Sequence, residues 1–124
     1  QFGMEGTVTA VHAISLACHS KPYRQKVYNL SRDAGLKYIT CPTAWLDHPR
    51  NEVAVPFHNA LTPVDELLAN GLVIAIGSDN IHDIYKPFSD GDMMTELRVL
   101  LEGCQIYDSD SLLNIATIWG GRVL

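Results

Sequence analysis

The stretch "NGLVIAIGSDN", residues 70–80, decides the predicted fold. Its centre is apolar and rich in β-branched residues, which predicts a buried strand, and Gly71 before it predicts the end of a helix. An acid, Asp79, follows directly after Gly77-Ser78. A carboxylate at the end of a buried strand must be hydrogen-bonded, paired or bound to a cation, because burying it alone costs several kcal/mol.

Similar strand patterns occur twice earlier in the chain. The segment "AGLKYITC" at 34–41 repeats the passage from a glycine into an apolar strand, and "TVTAVH" at 7–12 is also β-branched and apolar. Each predicted strand is followed by a helix, and this alternation predicts parallel strands joined by right-handed crossovers. The predicted fold class is therefore α/β with parallel strands.

Four helices are predicted from apolar spacing and end signals. The first ends at Gly35, and the second begins at Thr62-Pro63, where Thr62 suits the N-cap. The third begins at Ser89, with Asp92 completing an approximate capping box, and the last ends at Gly120-Gly121. The residues predicted to face inward are Tyr23, Val27, Leu30 and Ala34 on the first helix, Met93, Leu97, Leu100 and Cys104 on the third, and Leu112, Ala116 and Trp119 on the last.

Composition limits the class of protein. The 124 residues suit one domain, and a hydrophobic content of 47% is that of an ordinary globular core. Residues 51–124 hold three basic against eleven acidic residues, which argues against nucleic acid as a partner. No apolar run approaches the roughly 20 residues that span a membrane. Three widely spaced cysteines fit neither a disulfide framework nor a CxxC metal site, and they predict a reducing, cytoplasmic location.

Three polar residues follow the three predicted strands: His12, Cys41 and Asp79. In parallel α/β folds the carboxyl ends of the strands share one side of the sheet, and this side carries the chemistry. From the residues alone, Asp79 is either a turn or capping acid or a metal ligand, and His12 is either a core histidine or a catalytic group. Cys41 is predicted to be a buried packing residue. The segments 42–61 and 77–88 exceed usual connection lengths and are predicted lids or binding loops.

A resemblance to a known family rests on four segments: "TVTAVHAISL" at 7–16, "ITCPTAWLDHPR" at 39–50, "TPVDELLANGLVIAIGSDNIHDIYKPFSDGDM" at 62–93, and the closing "GGRVL". Together they resemble the amidohydrolase superfamily, and more narrowly its cytosine deaminase and N-isopropylammelide hydrolase branch. The resemblance implies that residues 1–124 are a single C-terminal fragment of a (β/α)8 TIM barrel, containing strands six to eight with their helices.

The resemblance also implies an activity. Such enzymes use metal-activated water to hydrolyse a C–N bond of a cyclic amidine or amide, or of an N-substituted triazine or pyrimidine. Asp79 matches the aspartate that ends the eighth strand, which binds a zinc or iron ion and takes a proton from the metal-bound water. His12 matches the histidine that ends the sixth strand and contacts that water and the developing oxyanion.

The resemblance also implies which residues shape the substrate pocket. Asn80 stands where cytosine deaminases have a second acid, whereas the ammelide hydrolases resemble this sequence, and this argues against cytosine itself as the substrate. The residues implied to shape a pocket for a small heterocycle are Asn80, His48, Asp83 and Tyr85.

Departures from the family pattern predict what the chain lacks. The His-x-His of the first strand and the histidine of the fifth are absent, because the chain begins just before the sixth strand. A catalytic metal usually needs three protein ligands, so the isolated fragment is expected to be inactive and can lack a bound metal. Its open sheet edges are expected to need the missing N-terminal half of the barrel, or self-association. The alternative is a non-catalytic α/β protein-interaction module.

Overall fold

The computed structural model describes residues 3–46 and 61–124, within which three parallel strands form one sheet. The strands are β1 (Thr9–Val11), β2 (Lys37–Thr40) and β3 (Ile74–Ile76), paired in the order β1-β2-β3. The register places Ala10 beside Tyr38 and Tyr38 beside Ile74. The predicted α/β class with parallel strands is confirmed.

Six helices and one 3-10 turn accompany the sheet in the described ranges. The helices are α1 (Lys21–Asp33), α2 (Pro42–Leu46), α3 (Val64–Ala69), α4 (Met93–Cys104), α5 (Ser109–Ala116) and α6 (Gly120–Val123), and the 3-10 turn spans Ile14–Cys18. Helix α2 lies inside the segment 42–61, which was predicted to be a loop, whereas 77–88 is a loop as predicted. None of the helices in 3–46 or 61–124 is long and apolar enough to cross a membrane.

The core joins the sheet to the helices after β2. Val64 and Leu67 of α3, Ile74 of β3, Leu100 of α4 and Ile115 of α5 are each at most 1% exposed and belong to one cluster. Burial of a side chain of this size contributes about 1.5–3 kcal/mol. These contacts fix the carboxyl ends of the strands relative to the helices that begin and end near them.

The face that helix α1 presents to the core matches the predicted one only in part. Tyr23 and Leu30 are 49% and 59% exposed, whereas Tyr28 and Ser31 are buried. The Ser31 hydroxyl and the Tyr38 hydroxyl lie 2.7 Å apart and share a buried hydrogen bond. The predicted stripe was wrong for Tyr23 and Leu30, whereas Val27 packs against the core as predicted. The difference arises because polar groups that find partners in the core, rather than apolar residues alone, define the inner face.

An ion pair joins α1 to α3. The Arg24 guanidinium donates from Nε to the Glu66 carboxylate at 2.8 Å, and the Tyr28 hydroxyl donates to the same carboxylate at 2.8 Å. The hydrogen bonds from Arg24 are the main cause that lowers the pKa of Glu66 to about 2. This carboxylate therefore stays ionised well into the acid range.

Two predicted N-caps were wrong. Helix α3 has Pro63 at its N-cap and no side-chain cap hydrogen bond, so Thr62 does not cap it. Helix α4 is capped by Asp92, whose carboxylate accepts a hydrogen bond of 2.9 Å from the Met94 amide, and not by Ser89. Asp92 directly precedes the helix and has the better-placed acceptor. The Thr62 hydroxyl binds a different partner, the carbonyl of His12.

The glycine signals were right twice and wrong once. Gly35 and Gly71 follow α1 and α3 with φ of 66° and 71°, the left-handed conformation that ends helices without strain. The pair Gly120-Gly121 begins α6 instead of ending the last helix. Neither of these two glycines has a positive φ, so neither ends a helix in this way.

Candidate active site

The candidate site lies at the carboxyl end of the sheet, where His12 follows β1 and Asp79 follows β3. These strands lie on opposite sides of β2, yet the Nε2 atom of His12 and the Oδ2 atom of Asp79 are 4.0 Å apart. Their side chains are 29% and 37% exposed, so both reach a surface that a ligand can approach. The structure therefore brings together the two residues predicted to be catalytic.

His12 and Asp79 share an uncommon backbone conformation. Their φ values are 68° and 61°, in the left-handed region that residues other than glycine rarely adopt. Such strain persists only where the surroundings hold it, and it clusters at functional sites. At His12 the amide donates to the Ile39 carbonyl at 2.8 Å, and the carbonyl accepts from the Thr62 hydroxyl. Both main-chain groups of His12 are thus held by other elements.

Cys41 lies beneath the site and is 6% exposed, as predicted for a packing residue. A Cβ atom added to Gly77 would lie 3.4 Å from its sulfur, so the thiol fills the space beside the chain that leads to Asp79. Burial, and then the negative charges of Asp79 and Glu96, raise the pKa of the Cys41 thiol to about 11. The thiol is therefore protonated at neutral pH and is a poor nucleophile.

The loop after β3 is organised by Asp83. Its Oδ2 accepts a hydrogen bond from the Asn80 side-chain amide, and its Oδ1 accepts from the amides of Tyr85 and Lys86 at 2.8 and 2.7 Å. The hydrogen bond from Asn80 is the main cause that lowers the pKa of Asp83. The Tyr85 side chain is 81% exposed. The structure brings Asn80 and Asp83 together, and His48 lies outside the described residues.

Two buried charges hold helix α2 next to this loop. The Glu96 carboxylate, from α4, accepts hydrogen bonds from the Thr43 amide at 2.9 Å and from the Thr43 hydroxyl. The Lys86 ammonium, from the loop after β3, donates to the carbonyls of Thr43, at 3.2 Å, and Ala44. Lys86 and Glu96 are 6% and 2% exposed. The signs of the charges match the helix polarity, because a carboxylate meets N–H groups and an ammonium meets carbonyls.

The described residues contain one predicted metal ligand, Asp79. Its carboxylate is a suitable oxygen donor, and the His12 imidazole lies 4.0 Å from it. Residues 3–46 and 61–124 contain no group of three or more His, Cys, Asp or Glu side chains placed to hold a metal ion. A structural or catalytic zinc usually has at least three protein ligands. Asp79 would therefore fit a metal centre only together with ligands from elsewhere.

Comparisons with known proteins place this geometry in a family context. No protein-family model matches the chain. A Haemophilus influenzae protein of uncharacterised function is 52% identical over 68 residues, which are 55% of this chain and 25% of that protein. The N-isopropylammelide isopropyl amidohydrolase of Pseudomonas sp. is 32% identical over 92 residues, which are 74% of this chain and 20% of the enzyme. The chain thus spans about a quarter or less of these curated relatives.

Solved structures extend the similarity over nearly the whole chain. The crystal structure of 5-methylcytosine deaminase from Klebsiella pneumoniae, liganded with 5-fluorocytosine, matches 98% of this chain and 30% of its own, with a TM-score of 0.85 and 26% identity. An adenosine deaminase from Xanthomonas campestris with bound zinc matches 98% of this chain and 25% of its own, with a TM-score of 0.66. At 20% identity, this second likeness concerns the fold alone.

The relatives that these comparisons name are hydrolases that act on C–N bonds. The chain resembles the amidohydrolase superfamily, and within it the cytosine deaminase and N-isopropylammelide hydrolase branch. The resemblance predicted from the sequence is confirmed, and it covers only part of the length of the related proteins.

Sequence patterns missed the residues that support the site. Thr40, Thr62, Lys86 and Glu96 are buried polar residues that hold its loops. A signal was present for Glu96, because it lies three residues after Met93 and four before Leu100, on the apolar face of α4. An acid on such a face needs a buried partner. For Thr62 the local signal suggested a helix cap, and only the tertiary structure shows its other partner.

Proposed function

We propose that this chain contributes strands six to eight of a (β/α)8 barrel to a metal-dependent amidohydrolase. The observation that carries the proposal is the approach of His12 to Asp79 at 4.0 Å, from strands that are not neighbours in the sheet. The similarity to 5-methylcytosine deaminase over 98% of the chain supports the same assignment. The proposed reaction is hydrolysis of a C–N bond in a cyclic amidine or amide, or in an N-substituted triazine or pyrimidine.

The proposed roles follow from the chemistry of the two side chains. Asp79 would hold the metal through its carboxylate and accept a proton at Oδ2, which faces His12. His12 would donate a hydrogen bond to the oxygen on which negative charge develops, because its Nε2 lies beside that carboxylate. A divalent zinc or iron ion, when bound, supplies Lewis acidity and lowers the pKa of water. Contacts of Asn80, His48, Asp83 and Tyr85 with the heterocycle remain predictions.

The sheet edges support the proposal that other strands complete the barrel. Within the described residues β1 and β3 each pair on one side only, with β2. Val11 on β1 is 53% exposed. An open, apolar strand edge favours pairing with a further strand. We propose that the partner is either a preceding part of a longer polypeptide or a second copy, and that the isolated chain is inactive. The three free cysteines support a cytoplasmic location.

Hydrolysis by the complete reading frame that encodes this chain tests the proposed activity. The protein, loaded with zinc or iron, should release ammonia from 5-methylcytosine or an amine from N-isopropylammelide. Asp79→Asn and His12→Asn should each reduce kcat by about 100-fold or more. The exposed carboxylate Glu102 on α4 offers a matched control, and Glu102→Gln should leave kcat unchanged. A folded protein that binds neither zinc nor iron when these are supplied, and that releases neither product, would contradict the proposal and favour the non-catalytic interaction module.

Size-exclusion chromatography of the 124-residue chain tests the proposed edge pairing. An edge that needs a partner should give dimers or larger assemblies, and a charge on the β1 edge, as in Val11→Lys, should shift the chain toward monomer. A clean, folded monomer of the unaltered chain would argue against self-association.

A further inference from the structure

We propose that Thr62 is a positioning residue for His12, and that Thr40 orients the Thr62 hydroxyl for this task. The inference rests on the proposed function only in treating His12 as part of the active site. The observation behind it is a buried chain of hydroxyl groups that runs from Thr40 on β2, through Thr62 just before α3, to the carbonyl of His12.

The direction of these hydrogen bonds is fixed by chemistry. A main-chain carbonyl only accepts, so the single hydroxyl proton of Thr62 is donated to His12. The remaining lone pairs of that oxygen accept the Thr40 hydroxyl proton at 3.0 Å. Thr40 and Thr62 are each 2% exposed, so water does not compete for these groups. The relay therefore has one polarity, from Thr40 to Thr62 to His12.

The relay acts on a backbone that needs support. His12 has a φ of 68°, which a non-glycine residue leaves when nothing holds it. Its amide is bound to the Ile39 carbonyl at 2.8 Å, and the Thr62 hydroxyl binds its carbonyl. Rotation of this backbone would swing the imidazole, because the Cα–Cβ direction follows φ and ψ. The Thr62 hydroxyl thus helps to set the distance of 4.0 Å between His12 and Asp79.

Thr62 is well anchored for this role. Its own carbonyl accepts from the Val64 amide at 2.7 Å, at the start of α3, and from the Cys104 thiol at 3.4 Å, at the end of α4. Its hydroxyl makes no cap bond to α3, whose N-cap is Pro63. A threonine in this sequence position suggests a helix cap, but here the hydroxyl is directed to the site instead.

Two matched substitutions separate the hydroxyl from the shape of the side chain. Thr62→Val keeps the branched volume and removes the hydroxyl, whereas Thr62→Ser keeps the hydroxyl. In the 124-residue chain, the three-bond coupling between the His12 amide and Hα protons reports φ by NMR. We expect this coupling to change in T62V and to return to the original value in T62S. An unchanged coupling in a folded T62V variant would overturn the proposal.

Activity of the complete reading frame gives a second readout. A misplacement of about 1 Å at a catalytic group costs about 100-fold, so T62V should lower kcat by up to about 100-fold with little change in KM. T62S should restore kcat. Cys104→Ala removes the thiol that donates to the main-chain carbonyl of Thr62 and leaves the relay intact, so it should lower stability without lowering kcat. Equal losses of kcat in C104A and T62V would show a merely structural role and overturn the proposal.

Two further outcomes remain decisive. If T62V fails to fold, Thr40→Val tests the same relay, because it removes the hydrogen bond that orients the Thr62 hydroxyl. The His12 coupling should then change in T40V, by less than the change expected for T62V. An unchanged coupling in T40V, with T62V unfolded, would count against the relay. If the complete reading frame shows no hydrolysis, the proposed function fails, while the NMR comparison of T62V with T62S still decides whether Thr62 holds His12.

Discussion

The β1 side and the α2 side of the candidate site are held by different chemistry. On the β1 side, the neutral Thr62 hydroxyl holds the carbonyl of His12 and itself accepts a hydrogen bond from the Thr40 hydroxyl. On the α2 side, charged side chains hold a short helix. The Glu96 carboxylate accepts a hydrogen bond from the Thr43 amide, and the Lys86 ammonium donates to the Thr43 carbonyl. Hydrogen bonds to charged groups are stronger than neutral ones, but they leave a larger penalty when one partner is lost. The α2 side is therefore expected to be the more sensitive to substitution.

The largest effect is expected at Lys86. Lys86→Met leaves the carbonyls of Thr43 and Ala44 without this donor in a buried position, and each such loss costs about 1–3 kcal/mol, so the free energy of unfolding should fall by about 3 kcal/mol. Urea unfolding measures the change. Lys26 is exposed on α1, and Lys26→Met should change stability by less than about 0.5 kcal/mol. Equal effects of K86M and K26M would contradict the expectation that the buried charge of Lys86 stabilises the α2 side.

A pair of carboxylates on one helix tests burial directly. Glu96→Gln weakens the acceptors for the Thr43 amide and hydroxyl and should cost about 2 kcal/mol. Glu102 pairs with Arg98 at 3.1 Å on the exposed face of α4, and Glu102→Gln should cost no more than about 0.5 kcal/mol. Both variants lose one negative charge from α4, so their difference in urea unfolding isolates burial. The expectation fails if E102Q is as unstable as E96Q.

A smaller effect is expected on the hydroxyl side. Thr62→Val removes a neutral donor and should lower the free energy of unfolding by about 1–2 kcal/mol. Hydroxyl groups do not titrate in the accessible range, so the loss should be the same at pH 7 and at pH 4. Thermal or urea unfolding of wild type and T62V at both pH values provides the measurement. A loss that disappears at the lower pH would point to an ionisable partner.

An effect that depends on pH is expected at a charged contact outside the site. The pKa of Glu66 is lowered to about 2 by Arg24, below the ordinary value of about 4.3. A lowered pKa contributes stability above the unfolded-state value, and this contribution is lost as the pH falls from about 4 through 2. Glu66→Gln removes the contribution. The stability difference between wild type and E66Q in urea should therefore shrink between pH 4 and pH 2; a constant difference would contradict it.

Some of this structure follows from the sequence, and some does not. Apolar runs and helix-ending glycines predicted the parallel strands, because local pattern and backbone preference agree at Gly35 and Gly71. The same logic placed His12 and Asp79 at strand ends. The relay through Thr62 and the contacts of Glu96 with Thr43 join residues 50 and 53 positions apart, and no local pattern encodes such partners. The inner face of α1 was missed in part for the same reason.

The left-handed backbone at His12 and Asp79 has a consequence for engineering. Glycine at either position would remove a conformational penalty of roughly 1 kcal/mol, so His12→Gly and Asp79→Gly are candidates for a chain that tolerates more heat. The same changes would delete the imidazole and the carboxylate that face each other. Selection for heat tolerance alone would thus be expected to erase the very side chains on which turnover is proposed to depend.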